Sequence, residues 1–220
     1  MKPLIALNLK AYPESLGEKG AKLCQIASEV SLLTGVRIIV APQAVDLREA
    51  VQLTGDVFSQ HVDAVLQGAF TGSISVESIK GAGCKGSLVN HSEKRLPEET
   101  IAQTIARLRE AGLESMLCTK DTEESVRLAK YKPAFIAVEP PELIGSGISV
   151  STAKPEIVSG TVQAVAKVNA TPVLCGAGVS NAQDVRKAIE LGAKGVLLAS
   201  AYVKAKDPRS LLLNMAEAMQ

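Results

Sequence analysis

Short runs of apolar residues alternate with helix-like patterns along the whole chain. Most of these runs are apolar at consecutive positions, which is typical of strands that are buried on both faces. The pattern predicts eight strands: Leu4–Leu9, Val36–Ala41, Val57–His61, Gly86–Asn90, Ser115–Cys118, Phe135–Val138, Pro172–Cys175 and Val196–Ala199. A strand followed by a helix, repeated along one chain, indicates a parallel α/β protein.

Between the predicted strands, apolar residues recur three or four positions apart, as on the buried face of a helix. Such stripes comprise Leu23, Ile26, Ala27, Val30 and Leu33, then Ile101, Ile105 and Leu108, and then Val185, Ala188 and Ile189. Helix starts are predicted at Pro97, at Asp121 with capping-box spacing to Glu124, and at Asp207-Pro208. The final helix should bury Leu211, Leu212, Met215 and Met219.

Two architectures accommodate eight strand–helix units, namely an open doubly wound sheet and a closed (β/α)8 barrel. Eight evenly alternating units within 220 residues favour the barrel. No run resembles an edge strand with protective charges, which also favours closure. No linker or low-complexity segment divides the chain, so residues 1–220 are expected to form a single barrel domain.

The amino-acid composition and net charge argue against several classes of function. Hydrophobic residues make up 46% of the chain and aromatic residues only 3%, so the core is aliphatic. A formal net charge of +1 argues against nucleic-acid binding, and no apolar stretch is long enough to cross a membrane. We expect no signal peptide, because Met1-Lys2-Pro3 leads directly into a short predicted strand. The four cysteines are far apart, so we expect buried, reduced thiols in a cytoplasmic protein rather than disulfides or a metal site.

Candidate catalytic residues stand at the predicted strand ends, where barrels carry their chemistry. Asn8 and Lys10 end the first strand on the same face, His91 follows the fourth and Glu139 follows the sixth. Each residue alone has an ordinary structural explanation, such as a solvated rim lysine. Together they would converge on one barrel mouth, which favours an active site over three unrelated surface residues.

A phosphate site is predicted beside these side chains. Gly176-Ala177-Gly178 follows the seventh strand and Ala199-Ser200 the eighth, and both segments can offer free backbone N–H groups. The third glycine of a dinucleotide fingerprint is missing, as is an acid at the end of the next strand. A small phosphorylated ligand therefore fits better than a dinucleotide.

The segment after Glu139 predicts a base covered by a loop. Two prolines follow the carboxylate directly, and Gly145-Ser146-Gly147 comes a few residues later. The chain should leave the strand stiffly and become flexible further on. A glutamate before an ordinary proline-rich turn is the simpler alternative.

Several motifs resemble the triosephosphate isomerase family, in its order and from the first strand to the last. They are Asn8-x-Lys10, Gly68-Ala69-Phe70-Thr71-Gly72, His91-Ser92-Glu93-Lys94-Arg95, Glu139-Pro140, Ile144-Gly145-Ser146-Gly147, Gly176-x-Gly178 and Ala199-Ser200. Leu9 stands where the family usually has Trp, and the glycine turn and the loop after Glu139 also differ. The short length resembles the compact archaeal branch.

This resemblance implies interconversion of dihydroxyacetone phosphate and D-glyceraldehyde 3-phosphate, without metal or cofactor. It implies that Glu139 is the base, that neutral His91 and Lys10 stabilise the enediolate, and that Asn8 and Glu93 hold Lys10. The phosphate would contact Asn8 and Lys10, and also Ile144, Gly145, Ser146, Gly178, Ala199 and Ser200. It also implies a homo-oligomer, a tetramer rather than a dimer.

Two alternatives remain open at this point. Another phosphate-binding barrel enzyme, such as a sugar-phosphate epimerase, shares the phosphate site but not the Lys, His and Glu set. A non-catalytic phosphate-binding barrel would have no reason to keep those three side chains. The loop Gly68–Gly72 also allows two interpretations, because Phe70 either docks on a partner subunit or folds back on its own barrel.

Overall fold

Eight parallel strands form one sheet in the computed structural model, which describes residues 3–143 and 149–220. The strands are β1 Leu4–Asn8, β2 Arg37–Ala41, β3 Phe58–Ser59, β4 Gly86–Val89, β5 Glu114–Thr119, β6 Phe135–Val138, β7 Val173–Cys175 and β8 Gly195–Leu198. The sheet order is β2-β1-β8-β7-β6-β5-β4-β3, so neighbouring strands are neighbours in sequence except where β1 meets β8.

The sheet curls until its two edges approach each other. Val40 of β2 and Val57, just before β3, form a parallel bridge, and the Val40 N–H donates to the Asp56 carbonyl at 3.0 Å. With β1 paired to β8 in register from Leu4 opposite Gly195, the strands make a nearly closed ring. The predicted (β/α)8 barrel is confirmed.

Helices follow the strands around the outside of the barrel. Within the described residues they are α1 Glu18–Thr34, α2 Leu47–Leu53, α3 Val76–Ala82, α4 Glu98–Glu110, α5 Thr122–Ala129, α6 Val150–Ala153, α7 Pro155–Ala166, α8 Ala182–Glu190, α9 Ser200–Val203 and α10 Pro208–Glu217. Short 3-10 turns stand at Pro13–Ser15, Ala44–Asp46 and Pro141–Leu143. None of the described helices is long and apolar enough to cross a membrane.

Alternation along the strands separates two buried layers. Leu4 and Ala6 of β1 point into the barrel with Phe135 and Ala137 of β6, and nine further positions share this interior layer or pack against it. The intervening side chains, such as Ile5, face the helices and join the larger outer core. Because alternation continues past each strand end, the next inward positions fall at the carboxyl-terminal mouth.

The other end of the barrel is closed by an ion-paired arginine. The Arg37 guanidinium donates to both oxygens of Asp56, at 2.6 and 3.0 Å, and also bonds Glu114. It lies 5.6 Å from the centre of the Phe135 ring. A charged group here is paired on two sides, so this end is a structural closure and the open cavity is left at the opposite mouth.

Helix starts follow the predicted chemistry with one change. Asp207 caps α10 by accepting the Ser210 N–H at 3.0 Å, and Pro208 occupies its first turn. Asp121 caps α5 by accepting the Glu124 N–H at 2.7 Å. The reciprocal bond predicted for a capping box is displaced, because the Glu124 carboxylate accepts from the Lys120 N–H instead.

Two expectations about buried positions and strand length were wrong. Leu33 is 64% exposed, because the inner stripe of α1 turns away from the core at Val30 and the helix ends at Gly35 in a left-handed cap. The third strand was predicted as Val57–His61 but spans only Phe58–Ser59, while Val57 forms an isolated bridge to Val40. Ser59 Oγ bonds the His61 carbonyl at 2.6 Å and so ends the ladder locally. The other strand ends match the prediction or differ from it by one residue, and β6 matches at both ends.

Candidate active site

The alternation of side chains along the strands places most of the predicted site residues at one end of the barrel. Leu4, Ala6 and Asn8 share a face of the first strand, and Phe135, Ala137 and Glu139 share a face of the sixth. His91 breaks this alternation, because the inward position after Leu88 is Asn90. Asn90 has a φ of 62°, and this left-handed turn redirects the chain and brings His91 to the mouth.

The cavity at this mouth has a volume of about 240 Å³. Its lining contains seven of the residues predicted from sequence: Asn8, Lys10, His91, Glu139, Gly178, Ala199 and Ser200. Glu93 instead lines an adjoining cavity, together with Lys10 and His91. The remaining predicted positions, Ile144, Gly145 and Ser146, lie outside the described residues.

Lys10 is held from three sides. Its φ of 50° places it in a left-handed turn, where the Asn8 Oδ1 accepts its backbone N–H at 3.0 Å. Its Nζ lies 2.7 Å from Glu93 Oε1. Gln60 Nε2 donates to the Lys10 carbonyl and to the Ala41 carbonyl, both at 3.0 Å. The ammonium group is therefore fixed at the cavity wall.

His91 is oriented by the main chain. The Glu93 N–H donates to His91 Nδ1 at 3.2 Å, so Nδ1 acts as an acceptor and carries no proton. The neutral ring then has its proton on Nε2. That atom lies 3.8 Å from Glu139 Oε2, too far for a direct hydrogen bond but close enough for both groups to flank a small ligand.

The Glu139 carboxylate is nearly sequestered from solvent, with the residue 5% exposed. Its Oε2 has no hydrogen-bond partner among the described residues. A buried, unpartnered carboxylate oxygen is costly and in an enzyme often marks a group that awaits a ligand. Burial, together with the nearby Glu139 charge, raises the pKa of the Cys118 thiol well above its ordinary value. The thiol therefore stays protonated.

Gly176 provides the space for that carboxylate. A Cβ at position 176 would lie 2.3 Å from the Glu139 Cγ and 3.1 Å from the Val138 carbonyl oxygen. No side chain can be added there without moving Glu139 or the strand end. The glycine turn predicted for phosphate therefore has a second effect, since it also leaves room for the candidate base.

The opposite end of the cavity presents backbone N–H groups. Ala177 and Gly178 have consecutive positive φ angles of 64° and 69°, and the Gly178 N–H has no hydrogen-bond partner within residues 3–143 and 149–220. Ser200 is the first residue of α9, so its N–H has no acceptor within that helix. Two free donors from different strand ends suit a phosphate group.

No motif in the sequence identified Gln60, although Gln60 lines the adjoining cavity and holds the Lys10 backbone. The available signal was its place at the end of a predicted strand, the same signal that identified Lys10. No group of three or more His, Cys, Asp or Glu residues among the described residues could hold a metal ion. The four cysteines are free and buried.

Comparisons with known proteins agree with the geometry of this mouth. The family model described as triosephosphate isomerase matches residues 3–219. The chain belongs to the triosephosphate isomerase family. A protein named triosephosphate isomerase from Methanothermus fervidus is 51% identical over 213 residues, 96% of each chain. Those from Methanocaldococcus jannaschii and Metallosphaera sedula are 50% and 42% identical, over 93% and 96% of this chain and 94% and 93% of theirs.

Membership of the triosephosphate isomerase family confirms the resemblance inferred from the motifs. It also agrees with the fold, since the chain builds the eight-stranded barrel from Leu4 to Leu198. The departures noted in the sequence, Leu9 and the Gly-Ala-Gly turn, leave the barrel mouth intact. Leu9 is fully buried, and Ala177 and Gly178 line the cavity.

Proposed function

We propose that the protein is an enzyme that interconverts dihydroxyacetone phosphate and D-glyceraldehyde 3-phosphate, the isomerisation step shared by glycolysis and gluconeogenesis. Proton transfer through an enediolate would accomplish this without a metal or organic cofactor. The observation that supports it most strongly is Glu139 Oε2, which has no hydrogen-bond partner among the described residues and lies 3.8 Å from His91 Nε2 in a cavity of about 240 Å³.

Glu139 would act as the base. It would take a proton from the carbon next to the carbonyl and return it to the neighbouring carbon, so no net proton is gained or lost. Its burial supports this role, because a base inside a cavity that excludes water is kept from side reactions of the intermediate with solvent. Gly176 leaves it the space to reach either carbon.

His91 and Lys10 would stabilise the negative charge that develops on the two substrate oxygens. The acceptor role of His91 Nδ1 supports a Nε2–H that donates to those oxygens. Lys10 brings a positive charge that Glu93 Oε1 holds in place at 2.7 Å, and Asn8 fixes the Lys10 backbone. Donors held in position before the reaction need no reorganisation as charge develops.

The phosphate would bind at the Gly178 and Ser200 N–H groups, with Ala199 beside them. The consecutive positive φ angles of Ala177 and Gly178 support this, because such turns form concave anion sites. Contacts from Ile144, Gly145 and Ser146 are proposed on family resemblance alone. Excluding water above the phosphate would protect the enediolate from elimination.

A coupled assay with each triose phosphate tests the reaction. We expect turnover in both directions, together with incorporation of solvent deuterium at the carbon next to the carbonyl. A sugar-phosphate epimerase would leave both triose phosphates unchanged, and a non-catalytic barrel would bind them without hydrogen exchange. Either result would refute the proposed isomerase activity.

We also propose a homo-oligomer, a tetramer rather than a dimer, with the Gly68–Gly72 loop in the interface. Leu66 is 69% exposed and Phe70 48% exposed, which supports docking of this loop rather than its folding back. Asp63 and Ile74 close the loop base through two bonds, at 2.7 and 2.8 Å, so the tip projects as one unit.

Sedimentation of the wild type and Phe70→Ser tests the assembly. The wild type should sediment as a tetramer at micromolar concentration, and Phe70→Ser should shift toward smaller species. A wild-type monomer would contradict the proposed assembly. It would not contradict the proposed reaction, because Phe70 lies outside both cavities. We further propose a cytoplasmic location, which the four free, buried thiols support.

A further inference from the structure

Asp184 is a buried carboxylate that the proposed chemistry does not use. It stands in the first turn of α8 and is 7% exposed. No lysine, arginine or histidine among the described residues forms an ion pair with it. A buried charge without a cationic partner must be stabilised by neutral donors and by the start of its helix.

Those donors come from two segments that border the phosphate end of the cavity. Ser180 donates to Asp184 Oδ2 twice, through its N–H at 2.9 Å and its hydroxyl at 3.0 Å. Thr152 of α6 donates its hydroxyl to Oδ1 at 3.3 Å. The carboxylate therefore bridges the turn after β7 and the short helix that precedes α7.

Two further bonds join the same segments, and a third lies within the α6 segment. The Ser151 hydroxyl donates to the Asp184 carbonyl at 3.1 Å, and the Val150 N–H donates to the Ala177 carbonyl at 3.4 Å. Ser149 Oγ and Ser151 Oγ lie 2.8 Å apart. Helix α6 thus has Asp184 as an anchor on one side and the Ala177 carbonyl on the other.

The turn between these anchors is conformationally demanding. Ala177 is a non-glycine residue at a φ of 64°, and such a backbone is strained and persists only where its surroundings hold it. Ser180, two residues after Gly178, is the point at which Asp184 holds the turn. Losing that hold would let Ala177 and Gly178 relax toward unstrained angles.

We propose that Asp184 is a positioning residue that holds the Ala177–Gly178 turn, through Ser180, in the conformation that binds phosphate against helix α6. This inference rests on the proposed isomerase function and deepens it. Asp184 does not line the cavity and would not touch the substrate. Its effect would reach the phosphate and leave proton transfer at Glu139 unchanged.

Charge and geometry predict opposite results for Asp184→Asn. If Asp184 acted only by its charge, its removal would lessen repulsion of the phosphate and tighten binding. If Asp184 acts by holding the turn in position, the asparagine amide is a weaker acceptor. The Ala177–Gly178 turn then relaxes and phosphate binds more weakly. The direction of change in phosphate affinity therefore separates the two effects.

The test measures inorganic phosphate as a competitive inhibitor and, separately, the solvent deuterium exchange of D-glyceraldehyde, which lacks a phosphate. In Asp184→Asn we expect the phosphate inhibition constant and the KM for triose phosphate to rise roughly tenfold, the loss expected for one charge-assisted hydrogen bond. Exchange of D-glyceraldehyde should stay within about twofold, since Glu139 and His91 are unchanged.

Asp207→Asn is the matched control. Asp207 also accepts the N–H and hydroxyl of one serine, Ser210, at 3.0 and 2.7 Å, but Ser210 does not line the cavity, whereas Ser180 does. Asp207→Asn should leave the phosphate inhibition constant, the KM for triose phosphate and the exchange rate of D-glyceraldehyde unchanged. Ser180→Ala, which keeps the N–H bond and removes only the hydroxyl, should move the phosphate constant in the same direction by a smaller factor.

An unchanged or tighter phosphate constant in Asp184→Asn would overturn the inference, as would an equal loss for phosphate and D-glyceraldehyde. Failure of the proposed function has a different signature, because the wild type itself would then not turn over triose phosphates. In that case calorimetric titration with inorganic phosphate would still show whether Asp184 supports an anion site.

Discussion

The main-chain N–H of Glu93 donates a hydrogen bond to Nδ1 of His91 across 3.2 Å. An atom that accepts this bond cannot also carry a proton, so the peptide geometry after β4 selects one tautomer of the ring. The selected tautomer places an N–H on the side where Glu139 lies. Its Nε2–H is then available to donate a hydrogen bond to a ligand in the cavity.

Nitrogen NMR tests this tautomer directly. Long-range proton–nitrogen correlation spectra at neutral pH should show His91 with an unprotonated Nδ1 and a protonated Nε2. The chain has only two histidines, so a His61→Gln variant assigns the His91 signals without further labelling. Two protonated nitrogens, or a proton on Nδ1 alone, would be incompatible with the proposed role of His91.

Gly176→Ala should reduce turnover while the barrel stays folded. The added Cβ would meet the Glu139 Cγ at 2.3 Å, so the carboxylate must move out of line with the substrate carbons. A displacement of about 1 Å can lower the rate roughly 100-fold. Steady-state kinetics with circular dichroism measures both properties. Wild-type kcat in the variant would show that Glu139 needs no such space.

Gly160→Ala is the matched control for that substitution. Gly160 lies within α7, and a Cβ there has nothing within 4 Å. Replacing a helical glycine with alanine should stabilise the protein by roughly 0.5 to 1 kcal/mol, because the unfolded chain loses freedom. Denaturant unfolding should show this gain with kcat unchanged. A destabilised variant would indicate a packing restriction at α7 that the structure does not contain.

Asp63 should make stability depend on pH. Burial alone would raise the Asp63 pKa, but hydrogen bonds from His61 and from the Ile74 N–H outweigh it and hold the pKa below its ordinary value of 3.8. A lowered folded-state pKa adds stability above the unfolded-state value, and this stability is lost as pH falls through the folded-state pKa. Lys94 acts in the same direction.

Denaturant unfolding of Asp63→Asn at about pH 6 and about pH 3 measures that contribution. The variant should be less stable than the wild type at the higher pH, and the two should converge as the wild-type carboxylate becomes protonated. A constant difference between the two proteins over this range would assign the effect to lost packing rather than to the Asp63 charge.

The cysteines should be unreactive in the folded protein. Burial, with Asp46 and Glu49 nearby, raises the pKa of Cys24 to about 12, and burial raises that of Cys84 to about 11 and that of Cys175 to about 12. Thiolates are therefore scarce at neutral pH. A thiol reagent at about pH 8 should modify four groups in denaturant and none under native conditions. Rapid labelling of the native protein would contradict the buried positions.

The barrel could be predicted from sequence because its determinants are local. Apolar runs, helix stripes and caps such as Asp207 recur in a regular order, and alternation alone places Asn8 and Glu139 inside the mouth. The prediction that Leu33 is buried was wrong for the same local reason. Periodicity predicts a continued stripe, but it does not reveal where the helix outlasts the core it covers.

Long-range relations could not be predicted in this way. The space that Gly176 leaves for Glu139 depends on the contact between β6 and β7, and the support that Gln60 gives to Lys10 joins residues 50 positions apart. From the sequence alone, Asp184 is an ordinary acidic residue in the first turn of a helix. Its bond to Ser180 spans only four positions, but its bond to Thr152 of α6 spans 32 positions and exists only because α6 packs against α8.

Turnover of Glu139→Gln tests the central claim most directly. Glutamine keeps the shape of the side chain but cannot take a proton, so we predict a kcat lower by roughly 100-fold to 10,000-fold in both directions with unfolding unchanged. Glu190→Gln, a surface substitution on α8, serves as the control and should match the wild type. A Glu139→Gln enzyme within about tenfold of the wild type would contradict the assignment of Glu139 as the base.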